Sequence, residues 1–131
     1  MNVTCPYCKR DAELVRGCKV YPHRPDLAHK KYWRCVPCDA YVGCHPRSKR
    51  HGHNGDEPMG RLANVELRRA KQRAHAVFDP FWKSRDMKRT EAYAWLAEQM
   101  GVSAANCHIG MFDVDGCRAV VAVVENYGRE A

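Results

Sequence analysis

Cys5-Pro6-Tyr7-Cys8 and Trp33-Arg34-Cys35-Val36-Pro37-Cys38 are the two stretches on which the reading of this chain turns. Each Cys-x-x-Cys presents two thiols from one tight turn, and Pro6 and Pro37 stiffen those turns. The pairs are 26 residues apart, enough for a hairpin that brings the turns face to face. Four converging thiolates are a tetrahedral ligand set, and the metal that such a set selects first is zinc. A site of this kind is closed. It leaves no position for water or substrate, so its role is structural and its binding energy serves folding. The expectation is one structural Zn²⁺ held by Cys5, Cys8, Cys35 and Cys38.

Working outward, the segment between the pairs predicts short antiparallel strands. Glu13 to Tyr21 is rich in strand formers, two prolines break it between Pro22 and Asp26, and Tyr32-Trp33 begins the returning strand. Ala40 to Cys44 reads as a third strand. Residues 46–60 hold two prolines and three glycines without apolar periodicity, which predicts a mobile loop with no apolar anchor. The first part of the chain, residues 1–59, is then a zinc ribbon plus loop.

Residues 60–131 carry helical periodicity. Leu67, Ala70, Ala74, Val77 and Phe78 make one stripe over residues 64–78, with Asn64 as its cap. Asp79-Pro80 predicts a restart of the chain, followed by Phe81 and Trp82 packing back. Thr90 is the expected cap of a helix over 90–100 that Gly101 stops, with Ala92, Trp95, Leu96 and Met100 on its inner face. A last helix starts near Asp113 and runs to about Tyr127. Its valines (Val120, Val121, Val123, Val124) leave a strand as the alternative there. The fold class expected is α+β: a Cys₄ ribbon packed on about three C-terminal helices, forming one compact unit.

The eight cysteines fit disulfides in a secreted chain or metal in a reducing one. The start, MNVTCPYCKR, has no apolar run before its first cysteine, and the longest apolar stretch, Ala119 to Val124, is far too short to cross a bilayer. The reading is therefore a cytoplasmic protein with reduced thiols and no membrane partner. Cys18 (in the first strand), Cys107 and Cys117 read as small core residues. Cys44, His45, His51 and His53 lie close in sequence and raise the question of a second metal.

The formal charge of +7 is uneven. Residues 1–59 hold eleven Lys or Arg against six Asp or Glu, residues 60–89 nine against three, and residues 90–131 two against six. A basic front and an acidic back point to a polyanion or an acidic protein as partner.

The chain resembles a family of small phage and prophage zinc-finger-containing domain proteins of unknown function. The likeness is carried by CPYC, by Trp33 to Cys38, by AYVGCH at Ala40 to His45 and by MGRLANVELR at Met59 to Arg68. RAHAVFDPFWKS (Arg73 to Ser84), TEAYAWLAEQMG (Thr90 to Gly101) and CHIGMFD (Cys107 to Asp113) complete it. It implies a phage-linked accessory protein in the host cytoplasm and supports the four zinc ligands.

Three functions follow. The leading one is nucleic-acid binding, with Lys30, Lys31 and Arg34 on the ribbon and Arg68, Arg69, Lys71 and Arg73 on the first long helix, and with Tyr7, Tyr32 and Trp33 available to stack if exposed. The alternative is an adaptor or inhibitor of a host protein, gripping through anchors such as Trp82 or Tyr93. Surfaces of opposite sign would also allow a head-to-tail homodimer. The third is a metal-dependent nuclease using His45, His75 and Asp79. It lacks a recognisable catalytic motif, so the chain reads as non-enzymatic with no catalytic residue.

Overall fold

The computed structural model describes residues 1–130. The chain divides into two compact units, Met1–Val65 and Glu66–Ala131. The architecture is α+β: a three-stranded antiparallel sheet followed by three long helices.

In the first unit, β1 (Glu13–Arg16) pairs with β2 (Lys31–Cys35), and β2 with β3 (Ala40–Gly43). The register sets Leu14 opposite Trp33 and Trp33 opposite Val42, so these three share one face. That face joins a buried cluster of Cys5, Trp33, Cys35, Ala40 and Leu62. The opposite face carries Tyr32 and Arg34 of β2 and Tyr41 of β3.

β1 is shorter than its composition predicts. The chain leaves the sheet at Gly17 and makes one helical turn, α1 (Gly17–Val20), so Cys18 is exposed on a turn and is neither in a strand nor in a core. The cause is a close approach. Gly17 N–H bonds Lys30 O at 2.7 Å, and a β-carbon at Gly17 would overlap the Leu27 carbonyl oxygen. Only glycine lets the backbones come that near.

The 46–60 loop has more internal structure than its composition suggests. Cys44 bridges to Pro58 and Ser48 to His53. Both carboxylate oxygens of Glu57 accept the Asn54 N–H, and Asn54 Oδ1 accepts the Asp56 N–H at 2.9 Å. Asp56 in turn anchors the sheet: its carboxylate pairs with Lys31 Nζ at 2.8 Å, and its carbonyl accepts Trp33 Nε1–H at 2.6 Å. The anchor is polar, which hydrophobic periodicity does not register.

In the second unit, α2 spans Val65–Lys83, α3 Arg89–Met100 and α4 Val114–Glu130. α2 does not restart at Asp79-Pro80; it continues through Pro80 for another turn. Proline removes the bond to the carbonyl of Ala76, and since Ala76 is exposed, water can take that carbonyl. Pairing is recovered at once, with Ser84 N–H to Pro80 O at 3.0 Å.

α3 begins one residue before the expected Thr90 cap. Lys88 stands at the cap position without a side-chain bond. Gly101 ends the helix at φ 71°, the left-handed conformation that glycine takes cheaply. The buried side of α3 is Ala92, Tyr93, Leu96 and Ala97, while Trp95 and Met100 are only half-buried.

The valine-rich segment is helical. Asp113 Oδ1 caps it by accepting the Gly116 N–H at 2.8 Å, and Val120 and Val121 are buried. Contacts between α2 and α4 ascend together, Glu66 with Arg118 and Arg73 with Glu125, so the two helices run in the same direction. Phe78 lies edge-on to Tyr93, and Phe81 stacks on Trp95 at 4.8 Å, tying α3 to α2. Cys107, Ile109 and Cys117 complete this core with no exposed surface beyond 1%.

Candidate metal centre

Two turns of the same design build the site. Cys5 to Cys8 precedes β1, and Cys35 to Cys38 links β2 to β3. In each turn the residue after the second cysteine takes a left-handed conformation, Lys9 at φ 65° and Asp39 at φ 48°. This reversal directs backbone N–H groups at the sulfurs. Lys9 N–H bonds Cys5 O at 2.9 Å, the Arg10 N–H serves Cys8, and the Cys38 N–H serves Cys35. Neither Lys9 nor Asp39 is glycine, and a non-glycine residue held there costs about 1 kcal/mol or more.

The four sulfurs lie within 4.8 Å of one another, and Cys8 Sγ is 3.6 Å from Cys35 Sγ. A tetrahedron with Zn–S near 2.3 Å has edges of about 3.8 Å, so the donor set fits zinc as it stands. No disulfide competes, because all eight cysteines are free.

The Arg10 N–H lowers the Cys8 thiol to about 7, burial raises Cys35, and burial with neighbouring sulfurs pushes Cys38 up to about 12. Close sulfurs oppose joint ionisation, and a bound dication would remove that opposition by deprotonating its ligands. When bound, zinc supplies structure here and no open coordination position. Among the described residues, these cysteines form the only group of three or more His, Cys, Asp or Glu placed to share an ion.

The loop histidines do not converge. His45 and His53 stack at 4.3 Å with nearly parallel rings, and His51 lies 6.2 Å from His53. Cys44 Sγ faces the Asp56 carbonyl at 3.7 Å. On α2, His75 Nδ1 sits 3.6 Å from Asp79 Oδ2, and Asp79 also accepts Trp82 Nε1–H.

The basic residues named from sequence fall in two groups. In the first unit, Lys30 is exposed. Lys31 is bound to Asp56, and Arg34 donates to Lys19 O at 3.1 Å. Lys31 and Arg34 are three residues apart on one strand and so point to opposite faces, which removes the single ribbon patch that their sequence positions suggest. Trp33, 6% exposed, and Tyr32, 9% exposed, are core residues and offer no stacking surface. Tyr7 is partly exposed, with its hydroxyl donating to Leu62 O and accepting from Asn64 N–H.

In the second unit, α2 carries Arg68, Arg69, Lys71 and Arg73. Lys71 Nζ donates to Gly110 O at 2.8 Å, and Arg73 pairs with Glu125 at 3.4 Å. Arg69 is exposed. Tyr93 is buried and cannot anchor a partner, and Trp82 is half-buried. Sequence reasoning did not single out the aromatic group of Phe81, Trp95 and Tyr127, which three different helices bring together. Among the described residues, no helix is long and apolar enough to cross a membrane.

Comparison with curated proteins and with solved structures gave no match. A family model described as a zinc-finger-containing domain matches residues 1–127, nearly the whole chain with all four ligands inside it. This chain belongs to that zinc-finger-containing family.

Proposed function

We propose that this chain is a non-enzymatic, phage-type accessory protein of the host cytoplasm, and that its zinc-bearing unit binds nucleic acid. The observation that carries the reading is charge. Met1–Val65 holds twelve Lys and Arg against six Asp and Glu, whereas Glu66–Ala131 holds ten against nine. Zinc with four thiolates takes away two of those positive charges and leaves the unit basic. The closed four-thiolate site favours a binding role over catalysis.

The sheet face away from the metal core suits such a partner. The rings of Tyr21, Tyr32 and Tyr41 meet edge to face, with centroids 5.6–6.3 Å apart. Tyr21 and Tyr41 are half-buried, Arg34 lies on the same face, and Lys19 and Lys30 are exposed near its rim. The half-covered rings of Tyr21 and Tyr41, with these cations nearby, match the stacking and phosphate needs of a nucleic acid. Arg69 and its neighbours on α2 add a second basic surface.

The test is a salt titration of binding to labelled duplex DNA, single-stranded DNA and structured RNA. Affinity should fall linearly on a double-logarithmic plot, and Lys19→Glu with Lys30→Glu should weaken binding about tenfold with the fold intact. Failure of every species to bind more tightly than about 10 μM at 50 mM salt would end this reading. Salt-insensitive binding to a host protein would replace it with the adaptor reading.

A further inference from the structure

The turn between α2 and α3 carries Lys83, Arg85, Lys88 and Arg89 against a single acid, Asp86, and all five are exposed. Beside it stand the rings of Phe81, Trp95 and Tyr127. Phe81 stacks on Trp95, and Tyr127 meets both edge-on, at 5.3 and 5.8 Å. Trp95 is half-buried and Tyr127 is 40% exposed, so the group is open to solvent on one side.

Arg85 joins the two features. Its guanidinium lies over the Phe81 ring at 4.1 Å and within 5.1 Å of the Tyr127 centroid. Nη1 donates to Phe81 O at 2.9 Å and to Ser84 Oγ at 3.3 Å, which fixes the group in place. A guanidinium backed by protein rings and still exposed offers a flat cation on which a further π-system can stack.

We propose that this turn is a contact site for single-stranded nucleic acid, in which a base stacks on Arg85 and the neighbouring phosphates are met by Lys83, Lys88 and Arg89. Charge decides against an acidic peptide less firmly than the rings do. Carboxylates need no flat platform, whereas an unpaired base presents a π-face and a duplex hides it. The inference rests on the nucleic-acid reading above and adds a strand preference and a site on the second unit. The rival account is that Arg85 only caps the end of α2, where a cation beside the last carbonyls stabilises the helix.

The experiment compares a labelled thymidine 20-mer with an abasic strand of equal length, which keeps the phosphates and lacks the bases. Wild-type protein should bind the thymidine strand about tenfold more tightly than the abasic one. Arg85→Ala should bind both strands alike. Arg85→Lys keeps the charge without the plane. It should leave abasic binding unchanged and lose most of the preference, and it keeps the test valid if Arg85→Ala fails to fold. Lys83→Ser with Lys88→Ser should weaken both strands equally and lower the salt slope by about 1.4, the single-strand value for two phosphate contacts. A thymidine preference that survives in Arg85→Lys overturns this site while leaving the nucleic-acid reading standing, because the first unit then supplies the stacking. Absence of any binding by the wild type overturns both.

Discussion

The two units are held together by different means. In Met1–Val65 the buried cluster is Cys5, Trp33, Cys35, Ala40 and Leu62, so two of its five members are metal ligands. Much of the rest is polar: Asp56 ties the loop to Lys31 and Trp33, and Tyr7 ties the first turn to Leu62 and Asn64. In Glu66–Ala131 the core is made of Leu67, Phe78, Leu96, Ile109 and Val120, each with at most 1% of its surface exposed. A small segment with few large side chains cannot offset its chain entropy by burial and needs a staple, whereas three packed helices have a side-chain core of their own.

Removing the metal should therefore break the comparison most sharply. Cys35→Ser, or chelation of the wild type, is expected to abolish cooperative folding of Met1–Val65, since structural zinc supplies on the order of 10 kcal/mol or more. Helical circular dichroism should largely survive while the sheet amides lose their protection from exchange. Metal analysis should give one zinc per wild-type chain. A Cys35→Ser protein with wild-type sheet protection would show that the first unit does not depend on its ligands.

The reciprocal change is smaller. Phe78→Ala removes a fully buried ring that packs on Tyr93, and should cost about 3–5 kcal/mol in the second unit. Zinc stoichiometry should stay at one. Loss of zinc in this variant would contradict the assignment of separate sources of stability.

The smallest effect sharpens the picture of the loop. The Asn54 N–H holds the Glu57 carboxyl below its ordinary value. A carboxyl depressed in the folded state stabilises it fully above the unfolded pKa, and this contribution is lost as pH falls through the folded pKa. Glu57→Gln should therefore lower the denaturation midpoint slightly at neutral pH. The gap to wild type should close as pH drops below the usual glutamate range. A gap that is constant across that range would assign the loss to packing.

The order of elements was legible where one physical rule acts locally. The two Cys-x-x-Cys turns, the strands at Lys31–Cys35 and Ala40–Gly43, the Gly101 stop and the Asp113 cap follow from spacing, from strand propensity and from glycine's access to positive φ. The misreadings share a cause. Pro80 reads as a break, yet the carbonyl it leaves unpaired lies on an exposed turn and the continued helix buries Phe81, which offsets much of the cost. Glu13 to Tyr21 reads as one strand, yet the carbonyl of Leu27, ten residues beyond Gly17, turns the chain at that glycine.

By itself, the sequence determined the ligands, the fold class and the excess of positive charge, because thiol spacing, periodicity and composition are properties of neighbours along the chain. Only the tertiary structure decided which cations are available. It spends Lys31 on Asp56, sends Arg34 to the other face of the sheet, and places Arg85 against rings from two helices, Phe81 of α2 and Tyr127 of α4. Such pairings depend on residues tens of positions apart meeting in space, and no local rule encodes them.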